Sequence, residues 1–205
     1  MQRASAQTAP EFLVSWRAHS LVPASYAGKI FPTKNSPIDV GVDIVDGTAI
    51  ADISGKEIIW SSDNALDESG IGKKNVQFKA SATPGTDQII RITVKNYKGR
   101  DVETVVVIPV AAPEAVIEQQ NPQGRIGSNA FRAVPYFFSA GSVQNLNFEW
   151  RVDNRPLEAK SDAIDLDLSS QGGTSDALIN LSVFINNLLN PLEFAKRLLS
   201  IQVKK

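Results

Sequence analysis

Most of the chain alternates between apolar and polar residues. Across residues 37–45, Ile38, Val40, Val42 and Ile44 interleave with Asp39, Gly41 and Asp43. A period of two sends one set to a core and the other to water, as in a half-buried strand. The run stops at Asp46-Gly47, a dipeptide suited to the positive φ of a tight hairpin turn. Shorter apolar runs follow at residues 49–53 and 57–60. Ile90, Ile92 and Val94 then alternate with Arg91, Thr93 and Lys95, and the chain turns at Asn96-Tyr97-Lys98-Gly99 and returns through residues 102–110. Short strands separated by turn residues at this spacing predict a β-sandwich. Ala111-Ala112-Pro113 ends the last of them and reads as a linker, because proline donates nothing to a ladder. The pattern then restarts with Val116 and Ile117, a turn at Asn121-Pro122-Gln123-Gly124, and an aromatic-rich strand over residues 131–138. Pro135 predicts that this last strand is an edge or carries a bulge.

The restart follows the same plan. After Trp60 an Asp-Asn pair lies three and four residues on and Leu66 six; after Trp150 the same pair lies three and four on and Leu157 seven. Ile90, Ile92 and Val94 fall 30, 32 and 34 residues after the first tryptophan, and Ile179, Leu181 and Val183 fall 29, 31 and 33 after the second. Asn96 and Asn186 both stand 36 residues beyond their tryptophan, and the final strands correspond as VVVIPVAA and LLSIQVKK. Matches in one order with a drift of one residue point to duplication. The expectation is all-β: two tandem Ig-like or PKD-like antiparallel β-sandwiches, residues 10–112 and 113–205, with Trp60 and Trp150 packed between sheets.

Residues 190–201 fit two readings. Asn190 as N-cap, Pro191 at N1 and Glu193 at N3 would start a short helix; the repeat offsets require the return strand of a hairpin. In either case Phe194, Leu199 and Ile201 are expected in the core.

Composition narrows the functional classes. The 205 residues carry 21 basic and 22 acidic side chains, a net charge of -1, and neither sign forms a run of five. That argues against a nucleic-acid partner or an anionic membrane surface. No stretch approaches the roughly 20 apolar residues of a spanning helix, so no membrane insertion by this chain is expected. With no cysteine, disulfides, thiolate chemistry and sulfur-ligated metal are excluded. Ala4-Ser5-Ala6 forms a small-x-small triplet of the kind signal peptidase favours, so export with a trimmed signal peptide is expected.

No catalytic or cofactor-binding residue is expected. His19 is the one histidine, and no G-x-S-x-G elbow, H-E-x-x-H helix or phosphate loop occurs. The stretch from Ser69 to Lys74 lacks the Gly-Lys-Ser/Thr ending of a phosphate cradle and reads as a hairpin turn. Asp162, Asp165 and Asp167, with Asp63, Asp67 and Glu68 in the first copy, offer hard oxygens to calcium. Yet Asp165 and Asp167 alternate with Ile164, Leu166 and Leu168, as on the wet face of a strand, and no metal site is assigned. Candidate contact residues are Trp16, Tyr26 and Phe31, in or beside a stretch rich in turn formers, and Leu188 and Leu189 at a hairpin tip. The first three would stack on a sugar or fill the sandwich end. The leucines would meet another protein or fold back.

A strand ending in an aromatic, an Asp/Asn turn, a strand of the form IRITVKN, a glycine turn and a Val-rich closing strand resemble the PKD and Ig-like modules of bacterial surface proteins. Trp60, Asp63, Asn64, Ile90 to Asn96, Gly99 and Val105 to Val110 carry the likeness, with Trp150, Asp153, Asn154, Ile179 to Asn186 and Leu198 to Val203 in the second copy. The Trp-x-Phe-Gly-Asp-Gly turn of PKD modules is absent from both. SWRAHSLVPASYAGKIFP (15–32) and PYFFSA (135–140) are similar to tandem Ig-like envelope proteins of small-genome bacteria. The resemblance implies an extracytoplasmic or cell-surface module, not an enzyme, that meets another envelope protein, possibly at a pilus. Binding of polysaccharide through loop aromatics is the alternative it leaves open.

Overall fold

The computed structural model describes residues 10–62, 65–120, 128–167 and 177–203. Residues Asp63 and Asn64, and the turn at 121–124, lie outside them. The described chain is built of antiparallel strands and one short 3-10 turn, Val143–Asn145. It divides into two compact units.

The first unit holds β1 (Glu11–Ala18), β2 (Pro37–Asp46), β3 (Ala49–Ile50), β4 (Glu57–Ser62), β5 (Ala65–Ile71), β6 (Asn75–Lys79), β7 (Asp87–Tyr97) and β8 (Arg100–Pro109). In one sheet β2 lies between β1 and β6, with β3 paired to its far end; the other has the order β5-β4-β7-β8. The alternation read from the sequence is what closes them together. Ile38, Val40, Val42 and Ile44 of β2, with Val76 and Phe78 of β6, meet Ile58 and Trp60 of β4 and Ile90, Ile92 and Val94 of β7 in one buried cluster.

The second unit holds β9 (Glu114–Gln119), β10 (Ser128–Tyr136), β11 (Leu146–Val152), β12 (Arg155–Pro156), β13 (Ala163–Asp167), β14 (Ala177–Asn187) and β15 (Asn190–Val203). Its sheets have the orders β13-β10-β9 and β12-β11-β14-β15. These match β6-β2-β1 and β5-β4-β7-β8 strand for strand. Each unit is an Ig-like antiparallel β-sandwich, and the second repeats the pairing of the first.

One interaction recurs at the same place in both. Trp60 and Trp150 are 0% and 1% exposed. Trp60 Nε1 donates to the Lys73 carbonyl at 2.9 Å, two residues before β6, and Trp150 Nε1 donates to the Ser161 carbonyl at 2.9 Å, two residues before β13. Each indole sits on a strand of one sheet and holds the backbone that leads into the other.

Several expectations need correcting. Phe194 is 54% exposed and stacks on Phe184, while Leu199 and Ile201 are half-buried and pack on the core as expected. The reason is alternation: Phe194 lies five residues before Leu199 in an unshifted ladder, so the two face opposite ways, while a register shift between Asn186 and Asn187 takes Pro191, Leu192 and Glu193 out of the ladder. The helix-start pattern at Asn190-Pro191 is thus a strand with a bulge. Residues 69–74 form no hairpin, because β5 pairs with β4 and β6 with β2. They carry the chain from one sheet to the other. Gly72, at φ +66, is needed there, since a Cβ would lie 2.5 Å from the Ser54 carbonyl oxygen. Strand β10 is central rather than an edge. Pro135 is tolerated because β13 pairs only with residues 128–132 of it, and Ala133 N, two residues earlier on the same side, is the last to donate that way, to the Asp162 carbonyl. Finally, Ser20–Thr33, expected in the first sandwich, packs as part of the second unit.

Replacing Trp60 or Trp150 by phenylalanine keeps most of the apolar volume but leaves a part-buried carbonyl without its donor. Each change is expected to lower unfolding stability by about 1–3 kcal/mol, read as a shift in urea midpoint. Alanine at either position is expected to cost about 3–5 kcal/mol.

Candidate protein-contact hairpin

The strand pair that closes each sandwich ends in a two-residue loop, and the two loops differ in chemistry. In the first unit Tyr97 pairs with Arg100 across Lys98-Gly99, with φ of 49° and 87°. Positive φ at both residues and a polar tip are what a tight hairpin favours. The tip is held within its own unit: Lys98 Nζ pairs with Asp46, and the Tyr97 hydroxyl donates to Asp46 Oδ2 at 2.7 Å. These bonds, Lys98 first and Tyr97 second, hold the Asp46 carboxyl below its ordinary range, and the same hydrogen bond raises the Tyr97 phenol.

In the second unit Asn187 pairs with Asn190, and the loop is Leu188-Leu189. The leucines are 57% and 74% exposed, and Leu192 in the adjoining bulge is 89% exposed. Turn chemistry does not call for leucine here. Beneath them lies a buried polar network. The Glu193 carboxylate, 7% exposed, accepts from Ser139 N at 2.7 Å, Ser139 Oγ at 2.8 Å and Asn187 Nδ2 at 2.5 Å. Asn187 Oδ1 accepts from Leu189 N at 2.9 Å, and Leu188 N donates to the Asn145 carbonyl at 2.9 Å. A buried carboxylate is costly unless its oxygens are occupied, and here both are. The network therefore fixes the backbone under an exposed apolar tip.

The remaining predicted contact residues are divided between the two units. Trp16 stands on β1 opposite Val40, in the row with Phe12 and Val14 that packs on the first core; Ser15 and Arg17 take the outward positions. Tyr26 and Phe31 belong to the second unit. The Tyr26 ring meets Tyr136 at 5.9 Å and Phe137 at 5.8 Å, both edge-on, and Phe31 meets Phe137 at 6.3 Å. Leu21 N donates to the Phe138 carbonyl at 2.7 Å, and Thr33 N to Ser20 Oγ at 3.0 Å, which closes the base of the excursion. Phe137 has φ +57, unusual for a bulky side chain, and its ring is clasped by these neighbours. These rings pack on one another.

His19 Nε2 lies 2.6 Å from Asp39 Oδ2, and Gln77 Nε2 donates to Asp39 Oδ1 at 2.8 Å. Gln77 first and His19 second hold the Asp39 carboxyl below its ordinary range. Ser15, on the outward row of β1, stands four residues away, roughly 13 Å along an extended chain, so it does not pair with His19 as a nucleophile would. Of the candidate calcium ligands, Asp162 pairs with Arg132 at 3.0 Å and Asp165 is exposed on β13. Among the described residues no group of three or more His, Cys, Asp or Glu could hold a metal. No helix among them is long and apolar enough to cross a membrane.

The tip leucines were legible as an apolar pair at a predicted turn. Glu193 was missed: the sequence marked it only as N3 of one of two readings, and nothing there signalled burial.

No protein-family model matches the sequence, and no curated protein matches it. Among solved structures the chain is similar to the three N-terminal domains of the highly immunogenic outer capsid protein of bacteriophage RB49, at 13% identity and a TM-score of 0.44. It covers 95% of this chain and 59% of that one. Two others are fibronectin(III)-like modules of Clostridium thermocellum CbhA, at 11% identity, TM-score 0.30 and coverage of 94% and 93%, and an intimin fragment in complex with the intimin-binding domain of its translocated receptor, at 12%, 0.30, 95% and 64%. Likeness at this level bears on no ligand, partner or location; the fold rests on the strand pairing itself.

The Asp46 clamp has a pH signature. A carboxyl held below its unfolded value of 3.8 contributes stability above that pH and loses it as pH falls through the depressed folded value. Acid titration of unfolding is expected to show a loss below pH 3.8 that is shallower in Asp46→Asn.

Proposed function

We propose that this chain is a non-enzymatic, extracytoplasmic module that mediates protein–protein contacts in the bacterial cell envelope, of structural or adhesion type, at a pilus or another envelope assembly. Its second sandwich presents the Leu188-Leu189 hairpin to another envelope protein. The observation that carries this reading is the pair of exposed leucines on a backbone fixed by Glu193 and Asn187. Two apolar side chains held rigidly in water gain nothing for folding. They are pre-organised for burial against a partner, which lowers the ordering cost of binding. The equivalent loop of the first unit serves as an internal contrast, because there the same turn is polar and tied to Asp46. Placement in the envelope draws on the resemblance to tandem Ig-like surface modules and on a chain that folds without cysteine. Polysaccharide binding draws less support, since the Tyr26 and Phe31 rings engage one another's neighbours edge-on and Trp16 lies in the inward row of β1.

Leu188→Ser with Leu189→Ser is expected to leave stability within about 0.5 kcal/mol, as for exposed positions. A photo-crosslinker at position 189 in cells is expected to yield a discrete protein adduct, and one at position 98 none. Equal labelling from both positions would count against the reading. So would glycan-array binding abolished by Tyr26→Ala and kept by the leucine variant.

A further inference from the structure

The two sandwiches expose equivalent faces of unlike character. On the outward rows of β7 and β8, Ile89, Val105 and Val107 are 36%, 46% and 53% exposed, and Ile89 and Val107 pair directly. The charged residues on these rows are Asp87, Asp101 and Glu103 with Arg91 and Lys95; Arg91 pairs with Glu103 and Lys95 with Asp101, which leaves Asp87 as the excess carboxylate. On the outward rows of β14 and β15, Leu178, Phe194 and Leu198 are 64%, 54% and 58% exposed, with the Phe184 ring stacked on Phe194. Lys196 is the single charge on these two rows. Neither Lys196 nor its exposed neighbour Arg197 forms an ion pair among the described residues. Both faces thus have an apolar centre, one with an excess of acid and the other purely basic.

We propose that a second copy of this chain is a partner: the β7–β8 face of one copy docks on the β14–β15 face of the next. This rests on the protein-contact reading and names an occupant for a surface beside the hairpin tip. Like faces do not suit each other, because β14–β15 against itself offers Lys196 no carboxylate on those rows. Opposite faces pair Lys196 with the acidic excess and bury valine and isoleucine against phenylalanine and leucine. Two strands about 4.8 Å apart and ten residues long present about 300 Å² of face. That is well below the roughly 800 Å² per partner of a stable complex, so the contact is weak and concentration-dependent. Being heterologous, it leaves one face of each kind open at the ends and permits extension beyond a dimer.

The test uses the purified full chain, with sedimentation equilibrium across a concentration series. The average mass is expected to rise past that of a dimer with concentration. Val107→Lys and Leu198→Glu, each at an exposed position, are each expected to weaken association at least about tenfold. Each variant keeps one intact face, so an equal mixture of the two is expected to form a dimer and nothing larger. A chain that stays monomeric throughout overturns the proposal, as does a mixture that behaves as its components do alone. Either failure leaves adduct formation from position 189 untouched, so the two readings fall separately. Circular dichroism with an unchanged unfolding midpoint shows that each variant is folded, and thermal unfolding of the variants below that of the parent by more than 5 °C would assign the loss to misfolding and overturn the use of these faces.

Discussion

Each sandwich depends on a buried indole that bonds across its two sheets. Trp60 and Trp150 supply the largest side chain in their cores, and each Nε1–H has one acceptor, the carbonyl two residues before the strand that completes the opposite sheet. Burial alone would hold the ring anywhere in an apolar layer. The hydrogen bond fixes its orientation, and with it the point at which the chain enters β6 or β13. In the first unit this coincides with the close approach of Gly72 to Ser54, so the crossing between sheets is constrained at consecutive residues.

A plan used twice allows the copies to be compared. What both keep, the strand order and the indole bond, belongs to folding. What differs is free to serve contact. The closing hairpin shows the division: the polar Lys98-Gly99 tip is tied to Asp46, whereas Leu188-Leu189 faces water above the Glu193 network. The outer faces of β7–β8 and β14–β15 diverge in the same sense, with acid in excess on one and Lys196 alone on the other.

Much of this was readable from the chain. The period of two in Ile38 to Ile44 and Ile90 to Val94 named the core rows, and the tryptophan offsets named the repeat. Features that depend on distant partners were not. The bulge at Pro191 to Glu193 shifts register, and register is set by the neighbouring strand; Phe194, an odd number of residues from Leu199 and Ile201, could share their face only in a helix. Residues 69–74 have hairpin chemistry, but β5 and β6 are held by different strands. Ser20–Thr33 has no period, and its packing on Tyr136 and Phe137 is a tertiary choice. For the contact site, the exposed leucines were visible in the sequence, while the carboxylate that fixes them was not. A buried glutamate is recognisable only once Ser139 and Asn187 are seen around it.

Hydrogen exchange at the two indole N–H groups, followed by NMR, tests the account most directly. Trp60 and Trp150 Nε1–H are expected to exchange as slowly as the backbone amides of β7 and β14, which open only on unfolding of their unit. Exchange of either indole within the dead time, with those amides still protected, would show that the bond across the sheets does not hold the sandwich, and would contradict the account.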